Sequence, residues 1–294
     1  MNVVVLGASG QLGREVSAAF TAAGNVVTEF THEQAEVSSM QSVRSALESV
    51  RPDLVVNTAA FHNVEKCEED PQRTFAVNAI GARNVAQVTN ELGSSLIHIS
   101  TDYVFDGLKG TPYTENDPPK PLNVYGNSKL SGEHFVRTTN PRHFVVRVSA
   151  IYGEHPCRAK AGLNFVELML KLAHERPELR VVDDEFVTPT PAVQIAQQLV
   201  ELSRSSHHGL YHATAEGSCS WYEFAAAIFE LTGTKVRLER ARPGDFPAKI
   251  ARPKYSVLEN AALKSRSLNV FTHWKQGLQN YLARREAPAK LVGA

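Results

Sequence analysis

Residues 1–13 constrain this chain more than any other segment. Val3-Val4-Val5-Leu6 is a short, β-branched apolar run that ends in Gly7-Ala8-Ser9-Gly10-Gln11-Leu12-Gly13, and apolar residues then recur at helical spacing over 12–23. In such a strand, turn and helix, the first glycine makes the tight turn, the second lets backbone approach a pyrophosphate, and the third lets helix meet sheet. The free N–H groups of the helix N-terminus then face the anion. Glycines also mark turns that hold no ligand, so the motif draws its weight from its place directly after a first strand.

The alternation continues. Strand patterns over 25–30, 54–57, 95–100 and 143–148 alternate with helical patterns over 40–49, 71–92 and 128–137. Apolar strands separated by helices predict a doubly wound parallel α/β sheet, because crossover helices cover both of its faces. Beyond residue 150 the pattern loosens into helices over 163–174, 192–203, 220–232 and 272–285, with strands near 179–183 and 209–213. We therefore expect a dinucleotide-binding domain over 1–150, to which 184–213 returns. A smaller C-terminal α/β substrate lobe is expected over 151–183 and 214–286, followed by a mobile tail over 287–294.

The 294 residues, 43% apolar, suffice for a sizeable core. Lysine plus arginine equals aspartate plus glutamate at 31 each, and no basic patch is evident, which argues against a nucleic-acid partner. Cys67, Cys157 and Cys219 fit neither a disulfide framework nor a zinc cluster and suggest a reducing compartment. The chain enters its first strand without a basic leader, and no stretch approaches bilayer length, so a cytoplasmic location without membrane association is expected.

Three further sites speak to chemistry. Dinucleotide folds usually place an acid at the end of the second strand, where it takes the ribose hydroxyl and repels a 2′-phosphate. Here Thr31-His32 stands there, with Glu29 too early, so NADP is expected to serve at least as well as NAD. Tyr125 and Lys129 lie four apart at the opening of a helix, with Ser128 between them. A nearby ammonium would lower the phenol from its reference value of ~10 and could also hold the nicotinamide ribose. Ser100-Thr101-Asp102 ends a strand at the carboxyl edge, where a hydroxyl either polarises a substrate carbonyl or merely caps the loop.

With these segments in place the chain resembles the extended short-chain dehydrogenase/reductases, and within them the dTDP-4-dehydrorhamnose reductases. The resemblance runs through GASGQLG at 7–13, NTAAFHNVEKCE at 57–68, VNAIGARNVA at 77–86, STDYVFDG at 100–107 and YGNSKLSGE at 125–133. It continues through RVSAIYG at 147–153, DDEFVTPT at 183–190, GLYHATAEGSCSWYEFA at 209–225 and RPKYSVLEN at 252–260. The resemblance implies Thr101, Tyr125 and Lys129 as the catalytic set. It implies Gly7, Gly10, Gln11, Leu12 and Gly13 at the pyrophosphate, Ala59 and Ala60 beside the adenosine, Asn78 near the active site on the cofactor side, and Lys129 on the ribose. The implied reaction is hydride transfer from NADPH or NADH to the C4 keto carbon of a nucleotide-linked 6-deoxy-4-ketohexose, with Tyr125 protonating the alkoxide. Members that make dTDP-rhamnose usually carry a tryptophan where this chain has Ala150, and a glutamine and a glycine within the segment that here reads Glu185-Phe186-Val187-Thr188. The first departure predicts a wider or differently shaped sugar pocket, and both leave the identity of the sugar open.

Among the remaining candidates, His62 and Val64 are expected at the active-site mouth. Arg252, beside Pro253, suits a substrate diphosphate or else a surface ion pair. Glu65, Glu68, Glu69 and Asp70 read as the solvated start of a helix, and His207-His208 as an exposed loop. No metal is expected, because hydride transfer with tyrosine as acid needs none. Oligomeric state stays open between monomer and homodimer. An epimerase or dehydratase that recycles its cofactor and a non-catalytic nucleotide-binding subunit are the competing readings. Asp102 and Asp106 as the only acids near Thr101 argue against the first, and the complete Thr101, Tyr125 and Lys129 set against the second.

Overall fold

In the computed structural model, residues 1–156, 162–242, 245–246 and 250–286 are described; Cys157 and the expected tail at 287–294 lie outside them. The first half runs β1 (Asn2–Leu6), α1 (Gln11–Ala22), β2 (Val26–Phe30), α2 (Met40–Val50), β3 (Leu54–Asn57), α3 (Val64–Glu69), α4 (Pro71–Phe75), α5 (Gly81–Glu91), β4 (Ser95–Thr101), α6 (Val124–Thr139) and β5 (His143–Val148). Then follow β6 (Ile151–Tyr152), α7 (Phe165–Glu175), β7 (Glu178–Val181), β8 (Phe186–Val187), β9 (Thr190–Pro191), α8 (Ala192–Ser203) and β10 (Gly209–His212). The chain closes with β11 (Cys219–Ser220), α9 (Trp221–Thr232), β12 (Arg237–Arg240), α10 (Ala261–Ser265) and α11 (Trp274–Glu286).

Six strands form one sheet in the order β10-β5-β4-β3-β1-β2, and every neighbouring pair is parallel. Residues Val3 to Leu6 and Leu54 to Asn57 are buried, as strands covered on both faces must be. Leu12, Val16 and Phe20 of α1 pack with Ile195 and Leu199 of α8 on one face. Val43 and Leu47 of α2 join Ala82 and Val85 of α5 on the other. From β1 the order runs one way to β2 and the other way to β3. That switch point opens a crevice at the carboxyl ends of the strands.

A second core gathers Tyr152, Met169, Phe224, Ile228, Trp274, Leu278 and Tyr281 between α7, α9 and α11. The short pairs β7-β12 and β8-β11 edge it, and β6-β9 ties it back to the sheet. β12 was not expected from the sequence: Val236 and Leu238 alternate with Arg237 and Glu239, but over too short a run to stand out. No helix among the described residues is long and apolar enough to cross a membrane.

Two expected elements differ in ways that bear on the site. The helix expected over 71–92 is interrupted by a π-helical turn, Ala76–Ile80, and Gly132 lets α6 lie against it: a Cβ there would stand 2.4 Å from the Asn78 carbonyl oxygen. The helix expected from 128 begins at Val124. The Asn123 side chain accepts from the Gly126 N–H at 2.9 Å, and Glu68 Oε1 accepts from the Val124 N–H at 2.7 Å. Glu68 therefore caps the helix that carries Tyr125 and is not part of a solvated acidic stretch.

Behind that helix lies a buried ion pair. Arg147 donates through Nε to Glu133 Oε1 at 2.9 Å and through a terminal nitrogen to Oε2 at 2.7 Å, with the side chains 2% and 1% exposed. Ser100 Oγ donates to the same carboxylate at 2.5 Å, so one glutamate joins β4, β5 and α6. Arg147→Met is expected to lower stability in urea unfolding by about 3–5 kcal/mol by stranding the carboxylate, and adding Glu133→Leu to recover most of that loss.

Candidate active site

A groove of about 880 Å³ follows the switch-point crevice from the glycine loop to α6. Gly7 has φ +77°, and a Cβ on it would stand 2.9 Å from the Ala59 nitrogen; a Cβ on Gly13 would stand 2.4 Å from the Gly7 carbonyl oxygen. Strand, turn and helix thus close together only with glycine at both positions. Gly10 caps α1 without a side-chain bond, and the first turn holds no acid, so its N–H groups are left for an anion. This cradle fits a dinucleotide pyrophosphate. Leu12, Ala59 and Ala60 line the same end. Gln11 also lines it, but its side chain donates to the His155 carbonyl at 3.0 Å and so ties the loop to the segment after β6.

At the adenosine end His32 lines the groove and Thr31 does not. The Thr31 N–H donates to Gln34 Oε1 and its carbonyl accepts from the Ala35 N–H, which turns Thr31 into the following bend. Ala35, Glu36 and Val37 take up the wall instead. Sequence reasoning missed them, because they stand in an irregular turn without periodicity. Asn78 also needs correction. It is 1% exposed, accepts from the Phe61 N–H at 2.8 Å, and donates to the Phe61 carbonyl at 2.8 Å and to Ser128 Oγ at 3.0 Å. With its amide spent on protein partners it braces the wall from behind and does not face a cofactor.

Thr101, Tyr125 and Lys129 all line the groove. Thr101 is the last residue of β4, Tyr125 stands in the first turn of α6, and Lys129 stands one turn on. The expected acidification of the phenol is not found. Burial pushes Tyr125 above its ordinary value, Asp102 raises it further, and a hydrogen bond with Thr101 offsets part of the rise. Lys129 is only 2% exposed, and its Nζ donates to the Ile99 carbonyl at 2.6 Å. Burial lowers this lysine to about 8, against a smaller opposing pull from Glu133.

Asp102 is 4% exposed at the floor of the groove. Thr101 Oγ1 donates to it at 3.0 Å and Ser149 Oγ at 2.8 Å, and Ser256 adds a third hydroxyl. Burial raises its carboxyl, with the three hydroxyls pulling the other way. Ala150, between β5 and β6, has φ +42°, which is left-handed for a residue with a Cβ. His62, Val64 and Arg252 line the mouth, with Arg252 3.9 Å from Glu65. Lys66, Arg73 and Trp221, which the sequence did not single out, line it too. Trp221 falls within the segment of resemblance at 209–225 and directly after Ser220, which forms a capping box with Glu223. His207 is exposed and His208 only partly so, its ring 4.9 Å from that of Phe144. Among the described residues no three His, Cys, Asp or Glu side chains gather as a metal site.

A parallel sheet with its glycine cradle at the switch point and a Thr, Tyr and Lys set at the carboxyl edge defines a Rossmann-type extended short-chain dehydrogenase/reductase. A family model described as the RmlD substrate binding domain matches residues 1–287, and the chain belongs to that family. The chain is 39% identical to the spore coat polysaccharide biosynthesis protein SpsK of Bacillus subtilis, covering 97% of this chain and 98% of that protein. It is 35% identical to the dTDP-4-dehydrorhamnose reductase of Escherichia coli, over 96% of this chain and 97% of the other. The dTDP-4-dehydrorhamnose reductase of Bacillus anthracis, solved in complex with NADP, superposes with a TM-score of 0.91 at 34% identity, over 96% of this chain and 99% of that one.

Gly13→Ala is expected to weaken NADPH binding at least about tenfold by calorimetry, because α1 must move off the loop. Lys129→Met is expected to raise the unfolding temperature at pH 7. The folded lysine sits below its ordinary value, so burying the ammonium is costly below about pH 8 and the cost fades as pH climbs further. Melting curves across pH 7 to 10 check both the sign and the window.

Proposed function

We propose that this protein uses NADPH or NADH to reduce the C4 keto group of a nucleotide-linked 6-deoxy-4-ketohexose, foremost dTDP-4-dehydrorhamnose to dTDP-rhamnose, in the cytoplasm. The reading rests above all on the convergence of Thr101, Tyr125 and Lys129 on a groove that begins in a glycine cradle. When bound, a nicotinamide cofactor supplies the hydride. The chain's residues supply binding, orientation and the proton. Gly7, Gly10 and Gly13, with the N-terminus of α1, receive the pyrophosphate, and His32, which stands after β2 where an acid is usual, is assigned to a 2′-phosphate, with Glu36 on the same wall. Arg252, Lys66 and Arg73 offer cations to the substrate diphosphate.

The raised phenol suits this direction of reaction. A tyrosine that stays protonated at neutral pH is a poor base, yet it still donates readily to an alkoxide forming at C4. Thr101 hydrogen-bonds that phenol and the buried Asp102 carboxylate, and so aims the donor. The lobe around the second core is the part we assign to the sugar nucleotide. Ala150 in place of the tryptophan usual among relatives leaves room there for a sugar of different outline.

Purified protein is expected to oxidise one NADPH per dTDP-4-dehydro-6-deoxysugar consumed. Product without net oxidation would instead indicate a recycling epimerase, and binding without turnover a non-catalytic subunit. Tyr125→Phe is expected to cut kcat by roughly 10²–10⁴, with NADPH affinity within about threefold of the parent. In steady-state comparison kcat/KM for NADPH should equal or exceed that for NADH; strict NADH use would remove His32 from its assigned role.

A further inference from the structure

Behind the catalytic lysine lies a line of polar groups whose hydrogen bonds run in one direction. It begins at a backbone N–H, which can only donate: that of Ala59 donates to Asn57 Oδ1 at 3.1 Å. With the oxygen of Asn57 so engaged, its Nδ2 is the atom 3.3 Å from His98 Nδ1. An amide nitrogen also only donates, so His98 Nδ1 must accept. The opposite amide orientation would set the Ala59 N–H against the Asn57 NH₂. Asn57 and His98 are 2% and 1% exposed, and burial keeps the imidazole neutral. A neutral ring that accepts at Nδ1 carries its proton on Nε2, and Nε2 lies 3.4 Å from Lys129 Nζ.

An N–H directed at a lysine nitrogen discriminates between its two forms. It repels the ammonium, which has only hydrogens to offer, and it binds the lone pair of the amine. We propose that Asn57 and His98 are positioning residues that orient an N–H toward Lys129 Nζ and thereby favour the amine form of this lysine in the ligand-free groove. Only that form can take up a proton, by forming an N–H bond on Nζ as the O–H bond of a donating hydroxyl breaks and leaves its electron pair on oxygen. The groups acting on Lys129 are few. Burial opposes the ammonium; Glu133, one turn on along α6, favours it but is spent on Arg147 and Ser100, and the Ile99 carbonyl accepts from Nζ at 2.6 Å in either form, which leaves the His98 N–H as the further group set against the charge. Tyr125 of the same helix is neutral.

This inference rests on the reading of Lys129 as the working lysine of the groove, but its test needs neither cofactor nor sugar and is therefore independent of turnover. The ¹⁵N shifts of the imidazole nitrogens in ligand-free protein, assigned by through-bond correlation to the His98 backbone, report which nitrogen bears the proton. The proton is expected on Nε2; a proton on Nδ1 in the unaltered protein would overturn the proposal. Asn57→Asp can only accept, so it is expected to move the His98 proton to Nδ1. His98→Phe is expected to raise the Lys129 titration midpoint, followed through the ¹³Cε signal, so that proton binding tightens roughly tenfold. An unchanged midpoint in folded His98→Phe would also sink the proposal, because burial alone would then account for the lysine. If neither variant folds, the tautomer in the unaltered protein still decides.

Discussion

Glu133 and Arg147 face each other with almost no water around them, and the arrangement of the groove depends on that pair. The carboxylate takes two N–H donors from β5 and one hydroxyl from β4 while belonging to α6. Ser149 directly follows β5, Thr101 ends β4, and the Tyr125–Lys129 turn opens α6. A buried ion pair of this kind contributes little net stability compared with a well-packed apolar substitute. Its contribution here is geometric: two parallel bonds fix an angle as well as a distance, and the helix can neither slide nor rotate on the sheet without breaking one of them.

Around this pair the protein spends polar groups freely on positioning. Asn78 holds the Phe61 backbone from both sides and reaches Ser128, and Gly132 lets that whole arrangement close against α6. The three hydroxyls on Asp102 satisfy a carboxylate at the groove floor. A site whose polar groups are already engaged within the protein limits how much ordering a bound molecule must bring about.

The sheet was legible in the sequence because its strands are apolar on both faces and its first turn needs glycine at fixed places. Tyr125 and Lys129 were legible as a pair because four residues is one helical turn. Their protonation was not, since it depends on burial and on His98, Asp102 and Glu133, none of which a spacing rule brings near. The early start of α6 was hidden by Gly126 and Asn127, poor helix formers; Gly126 is required because the Tyr103 carbonyl oxygen would stand 2.3 Å from a Cβ at that position. The π-helical turn at Ala76–Ile80 leaves no compositional trace. The resemblance placed Asn78 on the cofactor side, whereas this turn directs its amide to Phe61 and Ser128.

The N-terminus of α6 is held from two directions. Glu68 reaches it from the segment after β3, while Asn123, the residue that caps it, also donates to the Ala251 carbonyl at 3.0 Å, far along the chain. Residue 251 directly precedes Arg252, one of the cations at the groove mouth. A sugar nucleotide that draws this arginine inward would pull through a single peptide link and one amide on the very turn that carries the phenol. With Arg252 receiving the diphosphate as proposed, its recognition and the alignment of the acid would be mechanically joined, and a truncated substrate lacking its phosphates would forfeit rate as well as affinity.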